Sequence, residues 1–251
     1  LVGRNPKKLE DLKTSLIKRG FDKELTSYCC DMEKLEDVET ICKNIISDHQ
    51  VIDVLINNAG SLFDQARQVN GIERTTVVDL LAPWIFSCKL LEKIPSSGCI
   101  INVSSGGLYS CSLDLEALKV AQKPFSGSKA YALAKRAMEI FSSGLNKELE
   151  SENIRVHCMH PGWADTPGVL NSLPGFHKIT KPFLRTPFQG SDTIVWLAME
   201  NPKRGGKFWL DRQTQPTHIL KSTFESKNDY QNLRRFLDRF ATPQRQQGEA
   251  K

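Results

Sequence analysis

Tyr131 and Lys135 are the residues whose types and spacing most directly suggest chemistry, since they stand four positions apart in the segment AYALAKRAM. On a helix, residues at this spacing are neighbours on one face. A free tyrosine has a pKa of about 10 and exchanges protons poorly at neutral pH, but a nearby cation favours its phenolate. Lys135 supplies that cation. The pair therefore suggests proton exchange, although a tyrosine that merely packs at a helix surface would show the same spacing.

Further candidate residues directly follow predicted strands. They are Arg4, Asp31, the run Asn57-Asn58-Ala59-Gly60, the pair Ser104-Ser105 and the run His160-Pro161-Gly162. In a parallel sheet the carboxyl ends of the strands form one edge, and ligands bind there. We therefore expect these residues to converge on one rim of the fold.

The elements that must position these residues alternate along the chain. Apolar runs predict strands, and apolar residues at helical spacing predict helices. The predicted strands cover the initial LVG, the segment ELTSYCC, and residues 51–57, 98–104, 153–159 and 206–210; the predicted helices cover residues 6–18, 33–48, 71–94, 127–150 and 187–200. This alternation predicts an α/β fold with a doubly wound parallel sheet.

Length and composition set broad limits. The chain has 251 residues, of which 39% are apolar and 25% charged, and a net charge of +5, as is typical of a soluble globular protein. We expect one domain over residues 1–218 and a polar C-terminal tail over residues 219–251, with a short helix at 228–240. The scattered basic residues do not indicate a nucleic-acid surface. No apolar run is long enough to span a membrane.

The seven cysteines include no C-x-x-C pair, and the five histidines show no metal-ligand spacing. Neither a disulfide framework nor a metal site is therefore predicted. A reducing compartment is the simplest explanation of this cysteine usage, and a cytoplasmic location is the expectation.

The chain resembles the short-chain dehydrogenase/reductase family in four motifs: NNAG after a strand, NVSS after the next, YALAK on the following helix and HPGWADT after the strand beyond. Their order and strand context make the match specific, and it covers residues 1–212. More narrowly, VSSGG, MHPGWADTPGV, PGFH and KFWLDR resemble the dehydrogenase/reductase SDR member twelve group. The resemblance implies a Rossmann-like fold and hydride transfer between NADP(H) and a small-molecule carbonyl or alcohol.

The resemblance implies specific catalytic roles. Tyr131 would exchange a proton with the substrate oxygen, while Lys135 would tune the tyrosine and hold the nicotinamide ribose. Ser105 would donate a hydrogen bond to the substrate oxygen, with Ser104 as its close rival. Ser105 precedes Tyr131 by 26 positions, a long separation that resembles the retinol-dehydrogenase-like branch of the family. The insertion LDLEALKVAQKPF would then be a flap beside the substrate, for which this branch suggests an apolar, lipid-like compound.

The cofactor contacts that the resemblance implies are Arg4, Asp31, Asn58, Ala59, Gly60, Tyr131, Lys135, Pro161, Gly162 and Thr166. Small residues would let the backbone lie against the adenosine ribose, and Thr166 would hold the nicotinamide carboxamide. Asp31 would accept a hydrogen bond from the adenine amine, and an N-cap of the following helix is an equally good interpretation. Arg4 favours NADP over NAD, because an arginine there accommodates the 2′-phosphate.

Two features depart from the family pattern. The glycine-rich loop that binds the pyrophosphate is absent from the sequence, and LVGRN matches the end of the family's second strand. We therefore expect the first strand, this loop and the first helix to lie upstream of Leu1. Asp79, in TTVVDLLAP, lines the catalytic site where the family commonly has asparagine. An ionised aspartate only accepts hydrogen bonds, whereas asparagine also donates them.

The sequence thus predicts an oxidoreductase that uses NADP, with NAD as the second option. The alternative is a truncated, weakly active or inactive member of the family that serves as a binding or regulatory protein. A sugar-nucleotide epimerase is less favoured, because little chain follows Thr166 for a substrate domain. Pairing of two copies through the tyrosine-bearing helix, as is frequent in the family, stays open.

Overall fold

The computed structural model describes residues 1–21, 24–164 and 184–241. The strands are β1 (Val2–Gly3), β2 (Tyr28–Cys29), β3 (Val54–Asn57), β4 (Gln68–Val69), β5 (Ile72–Glu73), β6 (Cys99–Val103), β7 (Arg155–Met159), β8 (Phe208–Leu210) and β9 (Gln213–Gln215). The helices are α1 (Pro6–Lys18), α2 (Leu35–Asp48), α3 (Arg74–Thr76), α4 (Ala82–Lys89), α5 (Leu115–Lys119), α6 (Gly127–Glu148), α7 (Pro187–Glu200) and α8 (Asp229–Leu237).

The central sheet has five strands in the order β3-β6-β7-β8-β9. The first four are parallel, and β9 returns antiparallel to β8. Alternate residues point to opposite faces: Ile100 and Val156 belong to a buried cluster with α4 and α6, whereas Ile101 and Met159 pack with α7. Burial on both faces explains why β6 is apolar apart from Asn102 and why every residue of β7 after Arg155 is buried. The predicted α/β class is confirmed.

β1 and β2 form a separate parallel pair, with Val2 opposite Tyr28. Within the described part of the chain, this pair shares no ladder with the five-stranded sheet. α2 attaches the pair to the rest of the molecule, because its Val38 lies in the same buried cluster as Cys30 and Trp84. The segment ELTSYCC thus contains a strand of two residues only.

Residues 71–94, which the sequence predicts as one helix, contain several elements. The segment passes from β5 through α3, a π-helical turn at Val77–Leu81, α4 and a 3-10 turn at Leu91–Lys93. Pro83 explains the π-helical turn, because it has no N–H for the carbonyl of Asp79 and its ring would clash with that carbonyl. The N–H of Ala82 instead reaches the carbonyl five residues earlier. The result is a wide, fully buried turn that contains Asp79.

The C-terminal segment packs on the core. Leu233, Phe236 and Leu237 of α8 are buried in the cluster that contains Trp84. The indole N–H of Trp84 also donates to the carbonyl of Ala241 at 2.8 Å. The boundary after residue 218 stays a prediction. Within the predicted polar tail, the apolar residues of α8 lie on one face and pack on the core.

In the ranges that the structure covers, no helix is both long and apolar enough to cross a bilayer. No group of three or more His, Cys, Asp or Glu side chains in those ranges could hold a metal ion. All seven cysteines are free thiols.

Candidate active site

Helix α6 carries the Tyr131 and Lys135 pair. The hydroxyl of Ser126 accepts a hydrogen bond from the Lys129 N–H and so caps the first turn. The Lys135 side chain is 2% exposed, and its Nζ lies 5.4 Å from the centre of the Tyr131 ring. The four-residue spacing therefore brings both side chains together on the buried face of the helix.

The Lys135 ammonium is held at the end of β6. It donates to the carbonyl of Val103 at 3.1 Å and pairs with Oδ1 of Asp79 at 3.2 Å. Burial alone would lower the pKa of Lys135, but Asp79 and Tyr131 outweigh it, so the pKa is raised and the lysine stays protonated. Burial raises the pKa of Asp79 to about 6, against the lowering effects of Lys135 and the Ser61 N–H. At neutral pH the pair is therefore ionised.

The electrostatic balance at Tyr131 differs from the sequence-based expectation. Burial raises the pKa of Tyr131, and Lys135 acts in the opposite direction, as expected, without outweighing burial. Asp79 adds to the rise, and a hydrogen bond with Ser105 opposes it. The net direction of the pKa is upward, because burial is the largest effect and the Asp79 carboxylate adds to it. Tyr131 is therefore a neutral phenol that has a proton to donate.

The two serines after β6 have different partners. The hydroxyl of Ser104 is buried and donates to the carbonyl of Lys135 at 2.9 Å. The hydroxyl of Ser105 lies beside that of Tyr131 and also accepts from the Gly107 N–H at 3.2 Å. Ser104 thus braces α6 against the strand end, and Ser105 is the serine that shares a site with the tyrosine.

Asp79 joins Lys135 to the loop that follows β3. Its two carboxylate oxygens accept from the Ser61 N–H at 3.1 and 3.2 Å. Gly60 permits this approach, because a Cβ there would overlap the carboxylate of Asp79. Asp79 therefore fixes the NNAG turn and α6 relative to each other. An asparagine could make these contacts only without the negative charge.

A cavity of about 190 Å³ lies between the β1–β2 pair and the loop after β3. Four predicted cofactor residues line it, namely Arg4, Asp31, Ala59 and Gly60. Oδ1 of Asp31 accepts from the Glu33 N–H at 3.2 Å and closes the turn after β2. It does not cap α2, which begins later, at Leu35. Asn58 is exposed in the adjoining loop and does not line the cavity.

Pro161 and Gly162 form the turn after β7. Gly162 has a φ of +72°, and a Cβ at this position would overlap the guanidinium of Arg185. Burial, followed by Arg185, lowers the pKa of His160 to about 4, so its neutral ring accepts the Gly162 N–H at Nδ1. This turn therefore needs a glycine. Thr166, the predicted partner of the nicotinamide carboxamide, lies outside the described residues.

Sequence analysis misses a buried polar network behind the strand ends. The side-chain amide of Asn57 donates to Asn102 at 2.8 Å and to Ser87 at 3.1 Å. The amide of Asn102 donates in turn to Ser142 of α6 at 2.9 Å. These bonds connect β3, β6, α4 and α6. The sequence signal is one asparagine in each of two apolar runs, Asn57 as the last residue of β3 and Asn102 as the last but one of β6, because a buried amide needs partners.

The insertion between Ser105 and Tyr131 contains α5 and borders a cavity of about 560 Å³. The cavity is lined by this segment, by α6, by Glu73 and by Ser222 and Thr223, but neither Ser105 nor Tyr131 lines it. The insertion therefore lies beside the helix that carries the tyrosine. Its role as a flap over the substrate stays a prediction.

Comparisons with known proteins agree with one another. The family model described as short chain dehydrogenase matches residues 1–173. Dehydrogenase/reductase SDR family member 12 of Homo sapiens is 30% identical over 234 residues, which are 90% of this chain and 72% of the human protein. Retinol dehydrogenase 14 of Mus musculus is 28% identical over 205 residues, which are 76% of this chain and 60% of the mouse protein.

Solved structures share the fold. A variant of actinorhodin polyketide ketoreductase, solved with NADPH, matches with a TM-score of 0.62 at 19% identity. The match covers 82% of this chain and 83% of the ketoreductase chain. At that identity the likeness concerns the fold alone.

Proposed function

We propose that this chain, which belongs to the short-chain dehydrogenase/reductase family, interconverts a carbonyl and an alcohol by hydride transfer with NADP(H). Its family is one of oxidoreductases that act on alcohol and ketone groups. The observation that supports the proposal is the convergence of Tyr131, Ser105 and Lys135 at the end of β6.

In the proposed reaction, Tyr131 transfers its proton to the carbonyl oxygen of the substrate. Its raised pKa keeps the phenol protonated at neutral pH, which suits reduction of a carbonyl. The Ser105 hydroxyl donates a hydrogen bond to the same oxygen and orients it. Lys135 remains protonated and stabilises the phenolate that Tyr131 becomes.

The residues around the cavity beside β1 fit the adenosine end of a nicotinamide dinucleotide. Ala59 and Gly60 carry no side chain that would hinder approach to the adenosine ribose. Asp31 would accept a hydrogen bond from the adenine amine, and Arg4, with 70% of its side chain exposed, would hold a 2′-phosphate. The remaining predicted contacts are Asn58, Tyr131, Lys135, Pro161, Gly162 and Thr166. When bound, the cofactor supplies or accepts the hydride, with NADP favoured over NAD because of Arg4.

The proposed substrate is an apolar carbonyl or alcohol. The name of the mouse relative refers to retinol, which is a bulky, largely apolar alcohol. The long insertion before Tyr131, which resembles that of the retinol-dehydrogenase-like branch, supports the same class.

The test replaces Tyr131 by phenylalanine and follows oxidation of NADPH with retinal or a cyclic aliphatic ketone as substrate. We expect Tyr131→Phe to lower turnover about a hundredfold or more, because general acid catalysis contributes that much, while NADPH binding persists. Tyr28→Phe removes a hydroxyl that donates to Asp48 of α2 and does not line the proposed cofactor cavity, so this variant should retain activity. Turnover by Tyr131→Phe within a few fold of wild type would refute the acid role. Binding of NADPH without turnover by the wild type would favour the non-catalytic alternative.

A further inference from the structure

Three arginine side chains surround the carboxylate of Glu33 at the rim of the cavity beside β1. Arg67 donates to Oε2 of Glu33 at 2.5 Å, and the nearest nitrogens of Arg4 and Arg74 lie 3.8 and 3.9 Å from Oε1. Glu33 is itself largely buried, and it lines the cavity together with Arg4. The Asp31 carboxylate also lines this cavity, so three arginines face two carboxylates and the rim keeps a net charge of +1.

A tight hairpin brings Arg67 to the rim. Asn70 and Gly71 join β4 to β5 with φ values of 51° and 79°, which is the signature of a two-residue type I′ turn. Beyond the strands, the Arg74 N–H donates to the Arg67 carbonyl at 2.9 Å, so the two arginines lie opposite each other. The sequence-based helix over residues 71–94 conceals this hairpin and therefore misses Arg67.

Exposure separates the roles of the three arginines. The Arg74 side chain is 14% exposed, stacks 3.7 Å from the centre of the Phe63 ring and donates to the Gln65 carbonyl. Its contacts hold the hairpin in place. Arg4 lines the cavity, and Arg67 adjoins it through its hydrogen bond to Glu33. Their side chains are 70% and 57% exposed, so most of their N–H donors are accessible.

We propose that Arg67 is a second cation for the 2′-phosphate of NADP(H), acting with Arg4; the inference rests on the function proposed above. A phosphate monoester carries up to two negative charges, and each planar guanidinium can donate two parallel hydrogen bonds to it. Glu33 is a positioning residue, because it engages one nitrogen of Arg67 and leaves the other donors free. The 2′-hydroxyl of NAD carries no charge, so Arg67 increases affinity for NADP alone.

The experiment measures calorimetric binding of 2′,5′-ADP and of 5′-AMP, which differs from it only by lacking the 2′-phosphate. We expect Arg67→Gln to weaken binding of 2′,5′-ADP about tenfold or more, as loss of a charge-assisted hydrogen bond does, and to leave binding of 5′-AMP unchanged. Arg67→Lys keeps the positive charge but lacks the planar guanidinium that donates two parallel hydrogen bonds. It should therefore give an intermediate loss of affinity for 2′,5′-ADP. Arg235→Gln, the same change on the exposed face of α8, should alter neither affinity.

The outcomes separate this inference from the one on which it rests. If the wild type binds 2′,5′-ADP and folded Arg67→Gln binds it equally well, or loses affinity for both compounds alike, the role of Arg67 is refuted while the dinucleotide proposal stands. If the wild type binds neither compound, the dinucleotide proposal fails, and the role of Arg67 fails with it. Circular dichroism and the thermal midpoint establish that each variant is folded.

Discussion

At the scale of single residues, Asp79 best shows how this chain differs from the family pattern. Its carboxylate accepts from the Ser61 N–H, balances the Lys135 ammonium and raises the pKa of Tyr131. Asparagine would retain an acceptor for Ser61 but would remove the charge. The aspartate therefore makes ionisation of Tyr131 less favourable, and it binds Lys135 more strongly than a neutral asparagine would.

We expect Asp79→Asn to lower the pKa of Tyr131, because the lysine charge would no longer be offset. Alcohol oxidation needs the phenolate, so the rising limb of kcat/KM against pH should move about one unit to lower pH. Turnover at neutral pH should be unchanged or higher. The measurement is the pH profile of NADP reduction with an alcohol substrate.

The matched control is Asp53→Asn, which removes an exposed carboxylate just before β3 and should leave the profile in place. A loss of turnover of about tenfold or more in Asp79→Asn would show that the carboxylate has a task of its own. A rising limb that does not move would show that Asp79 does not influence the charge state of Tyr131.

At the scale of elements, α8 shows how a polar segment can close a core. The helix buries Leu233, Phe236 and Leu237 against the cluster around Trp84, and the Arg234 guanidinium lies 4.8 Å from the Trp84 ring. Phe236 is 4% exposed. Its truncation would leave a cavity between α8 and the core, since buried side chains are closely packed.

We expect Phe236→Ala to lower the free energy of unfolding by about 3–5 kcal/mol, as for other buried phenylalanines. Phe224→Ala makes the same chemical change at a position that is 60% exposed and should cost less than about 1 kcal/mol. Urea denaturation of both variants measures the difference. Equal, small losses would mean that α8 does not contribute to the core in solution.

The elements that the sequence predicts well are those whose apolar pattern is local. Local sequence patterns predict the strands β3, β6 and β7 from their largely apolar runs and the helices α2 and α6 from their periodicity. The four-residue spacing of Tyr131 and Lys135 is equally local. The hairpin at Asn70-Gly71 was readable from its turn residues but lies inside an apolar, helix-like pattern. By contrast, packing of α8 against Trp84 and the contact of Arg67 with Glu33 join residues far apart in sequence, and no local period encodes them.

At the scale of the whole molecule, Arg136 ties distant segments to the catalytic helix. It is wholly buried beside Lys135 and donates to the carbonyls of Leu108, Cys111 and Thr217. These carbonyls belong to the segment after β6 and to the C-terminal segment. One guanidinium thus binds both the insertion before Tyr131 and the C-terminal part of the chain. It also pairs with Glu225 at 3.4 Å.

Glu139 lies one turn beyond this guanidinium and makes the stability of the molecule depend on pH. It is 5% exposed, and burial, together with Glu225, raises its pKa to about 7 from an ordinary 4.5, although Arg136 opposes the rise. A carboxyl whose pKa is raised on folding favours the folded state below its unfolded pKa, and this contribution is lost as pH rises through the folded value. The window is therefore about pH 4.5 to 7.

Glutamine does not titrate, so comparison of Glu139→Gln with the wild type isolates this contribution. Relative to the wild type, we expect the Glu139→Gln protein to gain stability as pH rises across the window, by on the order of 3 kcal/mol. Urea denaturation at a series of pH values measures the gain, and Glu150→Gln, at an exposed position, should show no such trend. A difference between Glu139→Gln and wild type that is constant with pH would mean that the carboxyl ionises as easily in the folded chain as in the unfolded one. In that case water would have to reach Glu139, and the buried arginine network would be more open than its contacts imply.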